Sequence, residues 1–166
     1  MKRPSDDAPN LLSIIALLAN HKVDFLVVGG VAANLFGSAR LTYDLDVLYS
    51  RDRANLARIV DALRSVHPYL RDAPTGLPFS LDLRTLLNGS NFTLTTDLGP
   101  LDLLAEIPGA RSYEELLPHS LEISEGDLKF RCVTLERLIQ LKNAAGRPKD
   151  LEVLAELKAI LESTRD

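Results

Sequence analysis

The sequence is poor in several residue types, and each shortage argues against a class of protein. It contains no tryptophan, five phenylalanines and four tyrosines among 166 residues, which argues against a surface of aromatic rings that stacks nucleic-acid bases. Its single cysteine, Cys132, excludes an intrachain disulfide and a cysteine-based zinc site. Because Cys132 lies in an alternating run, we expect it to be a buried apolar side chain rather than a nucleophile.

A long hydrophobic run and an excess of positive charge are also missing. The apolar stretch 11–19 is too short to cross a bilayer. The basic residues Lys2 and Arg3 are followed by two aspartates, and no small-residue cleavage site follows, unlike in a signal peptide. We therefore expect a soluble, cytoplasmic protein with no membrane partner. With 19 basic against 23 acidic residues, the net charge is −4, so the chain is poorly suited to wrapping duplex DNA.

What is present is the composition of a folded domain, with 46% hydrophobic residues in patterns that predict helices and strands in turn. The order of these elements predicts an α+β (mixed α/β) fold. We expect a core at residues 1–112, and a small hairpin with two helices at 113–166 that packs on it. The predicted helices span 11–20, 31–36, about 52–67, 80–87, 135–145 and 149–162, and the predicted strands span 23–28, 43–49, 92–97, 101–107, 122–124 and 129–133.

The pair Asp44 and Asp46 carries the most chemical information. On a strand, a spacing of two places both carboxylates on the same face, where their mutual repulsion favours a bound cation. Magnesium prefers one or two carboxylates together with phosphate oxygens. The alternative is an edge strand whose acidic face is exposed to water.

The residues before this pair support the metal interpretation. Gly29 and Gly30 lie between a hydrophobic strand and a short helix, where backbone amides can receive a phosphate. An ordinary turn is the alternative. Arg40 and Thr42 precede the aspartates at alternating positions. The arginine either clamps a phosphate or pairs with an acid such as Asp44.

Asp102 is an acid inside an otherwise apolar predicted strand. A buried acid is unfavourable unless it is paired, hydrogen-bonded or bound to a metal. If this strand lies beside the one that carries Asp44 and Asp46, three carboxylates converge on one point.

These motifs together resemble a known superfamily. The two glycines, a spacer of thirteen residues, the Asp44-Leu45-Asp46 motif and the later Asp102 are similar to the DNA-polymerase-β-like nucleotidyltransferases. The form Arg40-x-Thr42-x-Asp44-x-Asp46 is most similar to the abortive-infection-type nucleotidyltransferase toxins of bacteria. Members of that group also carry a basic segment that residues 141–150 resemble. The resemblance covers roughly residues 22–155.

The resemblance implies a mixed sheet flanked by helices and a metal-dependent transfer of a nucleoside monophosphate from an NTP to an acceptor hydroxyl. Asp44, Asp46 and Asp102 would ligate a pair of Mg²⁺ or Mn²⁺ ions, and Asp102 would also take the proton of the acceptor. The turn at Gly29 and Gly30 would hold the triphosphate. The acceptor would be an RNA end or a protein, and a small antitoxin would be a partner of a toxin-like enzyme.

Lys142, Arg147 and Lys149 form the densest basic cluster beyond the N-terminus. They either meet the triphosphate or an acceptor RNA, or serve local structure, with Lys142 near a helix C-terminus and Asp150 orienting Arg147. A second hypothesis for the whole chain is a non-catalytic partner-binding protein, an antitoxin or an assembly component, that keeps the fold. The enzyme is favoured over the non-catalytic protein, because the chain has all three acids and both glycines of the motifs.

Overall fold

The computed structural model describes residues 9–165. Lys2, Arg3 and the aspartates near them, on which the expectation of no signal peptide rests, lie outside the described residues. The helices are α1 (Leu11–Asn20), α2 (Gly29–Leu35), α3 (Arg53–Leu63), α4 (Leu83–Asn88), α5 (Tyr113–Leu116), α6 (Leu135–Ala145) and α7 (Pro148–Thr164). The strands are β1 (Phe25–Val28), β2 (Leu45–Tyr49), β3 (Tyr69–Leu70), β4 (Phe92–Thr96), β5 (Gly99–Leu104), β6 (Ser120–Glu125) and β7 (Leu128–Val133).

The strands form one mixed sheet in the order β3-β4-β5-β2-β1-β7-β6. β2 runs antiparallel to β1 and parallel to β5 on its other side. β7 runs parallel to β1, so the hairpin of β6 and β7 continues the same sheet. The expected α+β fold, a mixed sheet with flanking helices, is confirmed.

The centre of the sheet is buried, and the helices are held against it and against one another. β1 is buried along its whole length, so both of its faces are covered because successive side chains point to opposite sides. α1 contacts β7 and α3, while α2 contacts β1, β2 and α6, and α6 contacts α7. At the start of α1, the Asn10 side chain accepts a hydrogen bond from the backbone N–H of Ser13 at 3.3 Å, as expected for an N-cap.

The strand of the acidic motif begins later than the alternating pattern predicts. β2 begins at Leu45 rather than at Tyr43, and Asp44 lies in a bend just before it. The reason is the partner strand: Val28, the last residue of β1, pairs with Asp46, and the chain then turns into α2 at Gly29. No residue of β1 therefore remains to face Asp44.

Other boundaries differ for similar reasons. β5 ends at Leu104 rather than at Ile107, because its neighbour β4 begins at Phe92, which pairs with Leu103. The Asn91 side chain then accepts a hydrogen bond from the backbone N–H of Ala105 at 2.8 Å. The segment 68–78 reads as a loop but contains the two-residue strand β3, and the four-residue helix α5 is also missed. Both elements are too short to produce a periodic signal.

The composition leads to one expectation about Cys132 and to another about membrane-spanning helices. Cys132 is fully buried in β7, and burial raises the pKa of its thiol to about 12. A thiol with that pKa is not a nucleophile at neutral pH. Within residues 9–165, the helices are either too short or too polar to span a bilayer.

Candidate metal and nucleotide site

Three carboxylates converge where β2 and β5 run side by side. Asp46 and Asp102 are register partners on these parallel strands, and Asp44 lies two residues before Asp46 in the bend. Carboxylate oxygens from all three residues lie within 4.8 Å of one another. The topology thus brings Asp102 to the acidic pair from a strand that is distant in sequence. We call these three residues the acidic cluster.

The surroundings of Asp46 disfavour its charged form. Burial raises the pKa of Asp46 to about 8, the carboxylates of Asp102 and Asp44 add to this shift, and Lys142 opposes it. Its Oδ1 atom is buried and has no hydrogen-bond partner among the described residues. A buried, unpartnered carboxylate oxygen beside two further carboxylates is stabilised by a hard cation. The acidic cluster therefore has the donor set that suits Mg²⁺ or Mn²⁺.

The two glycines are packed directly against the acidic cluster and its approach. Gly29 has a positive φ of 67° and opens α2, two residues before the predicted start of that helix. A Cβ on Gly29 would clash with the Asp46 carboxylate, and a Cβ on Gly30 would lie 2.9 Å from Oγ1 of Thr42. The absence of side chains at both positions lets Asp46 and Thr42 lie close to the backbone of this turn.

Gly29→Ala should therefore destabilise the protein by more than backbone strain alone. We expect a loss of unfolding free energy about 1–3 kcal/mol larger than for Gly126→Ala, because only the first substitution displaces a carboxylate. Gly126 is a matched control, since its φ is 60° and nothing lies within 4 Å of its added Cβ. Urea unfolding of both variants measures the difference. Equal losses would show that the Asp46 side chain is not held against this turn.

Arg40 and Thr42 lie in the loop before β2 rather than on the strand. Nη1 of Arg40 lies 3.3 Å from Oε2 of Glu152 in α7, and both side chains are largely exposed. Arg40 is thus paired with an acid, although with Glu152 rather than with Asp44. Its carbonyl accepts a hydrogen bond from Asn34 at 2.7 Å, which ties the loop to α2.

The basic cluster is built around one buried acid, Asp150. Nζ of Lys142 lies 3.3 Å from Oδ1 of Asp150, and Nε of Arg147 lies 2.6 Å from Oδ2. The backbone N–H of Arg147 also donates to Asp150 at 3.3 Å, which caps α7. Burial alone would raise the pKa of Asp150, but Arg147 and Lys142 hold it below its usual value. Asp150 therefore fixes both cations at the turn between α6 and α7.

Two clefts meet at Asp46, Lys142 and Arg147, which line both of them. One cleft, of about 210 Å³, lies on the Asp44 side, and we call it the cationic cleft because basic residues are the majority of its charged lining. The other, of about 310 Å³, lies on the Asp102 side, and we call it the apolar cleft after its hydrophobic walls. The cationic cleft has four cations and two carboxylates, and the apolar cleft has two cations and four carboxylates. The charged and polar residues of the cationic cleft include Arg40, Thr42, Asp44, Asp46, Lys142, Arg147 and Lys149. The walls of the apolar cleft include Leu104, Ile107, Pro108, Leu138, Leu141 and Ala145.

One charged residue of the site has no signal in the sequence. Arg71 follows β3, in the segment that reads as a loop, and its Nη2 lies 2.8 Å from Oδ1 of Asp102. Its Nη1 lies 3.9 Å from Oδ2 of Asp44. Only the pairing of β3 with β4 and of β4 with β5 brings Arg71 to the acidic cluster.

Two solved structures resemble the fold of this chain over most of their length. TM1012 from Thermotoga maritima, which has been assigned as a nucleotidyltransferase, superposes with a TM-score of 0.54 at 19% identity, over 88% of each chain. The lincosamide antibiotic adenylyltransferase LnuA, solved with lincomycin bound, superposes with a TM-score of 0.59 at 16% identity, over 91% of this chain and 96% of LnuA. The chain has a nucleotidyltransferase-like fold.

This likeness extends to the fold and no further, because the identities are low. No protein-family profile and no curated protein matches the sequence. The nucleotidyltransferase fold places the acidic cluster, the glycine turn and the basic cluster around one pair of clefts in this chain. The function of those groups depends on their own chemistry rather than on the fold.

Proposed function

We propose that this protein is a metal-dependent nucleotidyltransferase that moves a nucleoside monophosphate from an NTP to an acceptor hydroxyl. The observation that carries the proposal is the convergence of Asp44, Asp46 and Asp102 within 4.8 Å beside a cleft lined by four cations. In this reaction the acceptor oxygen forms a bond to the α-phosphorus, the bond from that phosphorus to the β-phosphate bridging oxygen breaks, and pyrophosphate leaves. The fold shared with the adenylyltransferase LnuA supports this proposal.

The acidic cluster suits the divalent cation that such a reaction uses. All of its donors are carboxylate oxygens, the ligands that Mg²⁺ and Mn²⁺ prefer, and Oδ1 of Asp46 is buried without a partner among the described residues. A bound divalent cation supplies positive charge that polarises the α-phosphate. Asp44 and Asp46 are the proposed ligands, with Asp102 beside them.

The chain's own residues have separate proposed roles. Lys142 and Arg147, held by Asp150, would bind the β- and γ-phosphate oxygens together with Lys149, because charge-assisted hydrogen bonds to phosphate are strong. Gly30 lines the cationic cleft together with Arg40 and Thr42, and Gly29 lines the neighbouring cleft, so the turn at these glycines would let the triphosphate approach the backbone where the two clefts meet. Asp102 lines the opposite cleft and would accept the proton of the acceptor hydroxyl.

The acceptor is proposed to be a compact molecule that carries a hydroxyl and an apolar surface. The cleft on the Asp102 side has a volume of about 310 Å³ and apolar walls that include Leu104, Ile107 and Leu138, which suits a small molecule with an apolar surface better than a polyanion such as RNA. The similar protein LnuA is an antibiotic adenylyltransferase solved with lincomycin, which supports a small-molecule acceptor. An RNA end or a protein, modified by a toxin-like enzyme with an antitoxin partner, is the alternative suggested by the resemblance to abortive-infection toxins.

Label transfer tests this proposal directly. The protein is incubated with Mg²⁺ and each α-labelled NTP in turn, with lincomycin, total RNA or a protein extract as the acceptor. We expect Mg²⁺-dependent label on a small molecule, and at least about a hundredfold less with Asp46→Asn, since charge stabilisation at the reacting phosphate contributes that much or more. Asp127→Asn, in the exposed β6–β7 turn, is the matched control and should react like the wild type. Label on RNA or protein alone would contradict the proposed acceptor while keeping the nucleotidyl transfer.

A further inference from the structure

Arg71 is a cation that the fold builds into the acidic cluster. Its Nη2 donates hydrogen bonds to Oδ1 of Asp102 at 2.8 Å and to the carbonyl of Leu94 at 2.7 Å. Its backbone N–H donates to the carbonyl of Thr93 at 2.9 Å. Thr93 is the register partner of Asp102 across β4 and β5. The backbone and the guanidinium of Arg71 are therefore both hydrogen-bonded to β4, the strand next to that of Asp102.

This anchoring distinguishes Arg71 from the other cations near the site. Lys142 and Arg147 are paired with Asp150, and Arg40 is paired with Glu152. Within residues 9–165, Arg71 is the cation that forms ion pairs with the acidic cluster. Its side chain is 23% exposed, and an arginine that is hydrogen-bonded through both its backbone and its guanidinium loses little further conformational freedom when it keeps this position.

The charge at this point matches one divalent ion rather than two. When a bound cation displaces the proton of Asp46, the three carboxylates of the acidic cluster carry three negative charges, and the guanidinium of Arg71 neutralises one of them. A single divalent cation neutralises the two that remain. A second ion on the Asp102 side would have to displace a charge-assisted hydrogen bond of 2.8 Å that the backbone of β4 holds in place.

We propose that Arg71 takes the place of a second divalent cation on the Asp102 side, so that the protein alone holds a single ion between Asp44 and Asp46. This inference rests on the proposed function, since it concerns the ion that nucleotidyl transfer requires. It differs from the two divalent cations that the resemblance to the superfamily implies. Arg71 is a positioning residue in this account, because it acts by holding the charge and orientation of Asp102.

Counting bound Mn²⁺ tests the inference without any need for activity. The full chain is titrated with Mn²⁺ at fixed pH, and free Mn²⁺ is followed by electron paramagnetic resonance. We expect one Mn²⁺ per wild-type chain and a second Mn²⁺ in Arg71→Gln, because Asp102 is then free to bind an ion. Arg71→Lys keeps the positive charge and should bind one. The control is Arg58→Gln, which removes an arginine paired at 3.7 Å with Asp24, and it should also bind one.

The outcomes separate this inference from the proposed function. A wild type that binds two Mn²⁺, or an Arg71→Gln protein that binds only one, would overturn the role given to Arg71 and leave the metal site in place. The wild-type count decides between one ion and two even if Arg71→Gln does not fold, which far-ultraviolet circular dichroism checks. Absence of Mn²⁺ binding in the wild type and in Arg71→Gln would overturn the metal part of the proposed function itself.

Discussion

Asp46→Asn is expected to stabilise the metal-free protein while it abolishes divalent-cation binding. Burial, and after it the charges of Asp102 and Asp44, raises the pKa of Asp46 to about 8. Between about pH 4 and pH 8 the native state therefore holds a proton that the unfolded chain has released. The free energy of unfolding consequently falls as the pH rises through this window, by at most about 1.4 kcal/mol per pH unit.

Asparagine at position 46 does not titrate, so the unfolding free energy of the variant does not fall in this way as the pH rises. We expect the excess in unfolding free energy of Asp46→Asn over the wild type to grow by at least about 2 kcal/mol between pH 5 and pH 8. Urea unfolding in the presence of a chelator at both pH values measures the two differences. Asp127→Asn, which removes an exposed aspartate from the β6–β7 turn, should show neither effect. A variant that is less stable than the wild type at pH 8 would contradict the placement of three carboxylates together.

Asp150→Ala should have the largest destabilising effect among the residues of the site. The Asp150 side chain is fully buried and is the shared partner of Lys142 and Arg147, of which Lys142 is only 14% exposed. Its removal leaves a mostly buried ammonium without a partner and takes away the cap of α7. We expect a loss of about 3 kcal/mol in unfolding free energy. Because the pKa of Asp150 is lowered in the folded protein, its contribution is present above about pH 4 and disappears as the pH falls below that value.

Glu152→Ala is the matched control for this prediction. Glu152 lies in the same helix and is also paired with an arginine, Arg40, but both side chains are at least half exposed. An exposed pair contributes less than about 1 kcal/mol, so urea unfolding should separate the two variants clearly. Nucleotide binding should weaken in Asp150→Ala as well, because Lys142 and Arg147 are no longer held at the clefts. Similar small losses in both variants would show that Asp150 does not organise the basic cluster.

The two aspartate predictions have opposite signs for a common physical reason. Asp46 is a buried carboxylate surrounded by like charges, and Asp150 is a buried carboxylate surrounded by opposite charges. A protein that only had to fold would be more stable without Asp46. Sites that bind charged substrates commonly retain such unfavourable groups, because the ligand supplies the missing charge.

Much of the site follows from local sequence, because its motifs are short and periodic. The pattern predicts the shared position of Asp44 and Asp46, and the apolar run around Asp102 marks that aspartate as unusual. Whether Asp102 meets the pair depends on β5 lying beside β2, which is a property of the sheet order rather than of either segment. The residue pattern predicts that Asp102 meets the pair only if the two strands are neighbours. The resemblance to the superfamily implies that they are.

Arg71 shows where prediction from sequence stops. It lies 31 residues from Asp102 along the chain, and it is brought there by a strand of two residues that has no periodic signal. For Arg40 the pattern left two partners open, a phosphate or an acid, and the structure pairs it with Glu152 in α7. In both cases the deciding contact is long-range, so no local preference determines it.

If the acidic cluster binds a nucleotide through a divalent cation, the binding of that nucleotide must depend on the cation. The most direct measurement is calorimetric titration of α,β-methylene-ATP, which cannot be cleaved at the α-phosphate, into the full chain with Mg²⁺ or with a chelator. We expect binding that requires Mg²⁺, and that is weakened at least about tenfold, or 1.4 kcal/mol, by Asp44→Asn but not by Asp127→Asn. Binding of equal strength in the chelator, or in Asp44→Asn, would contradict it.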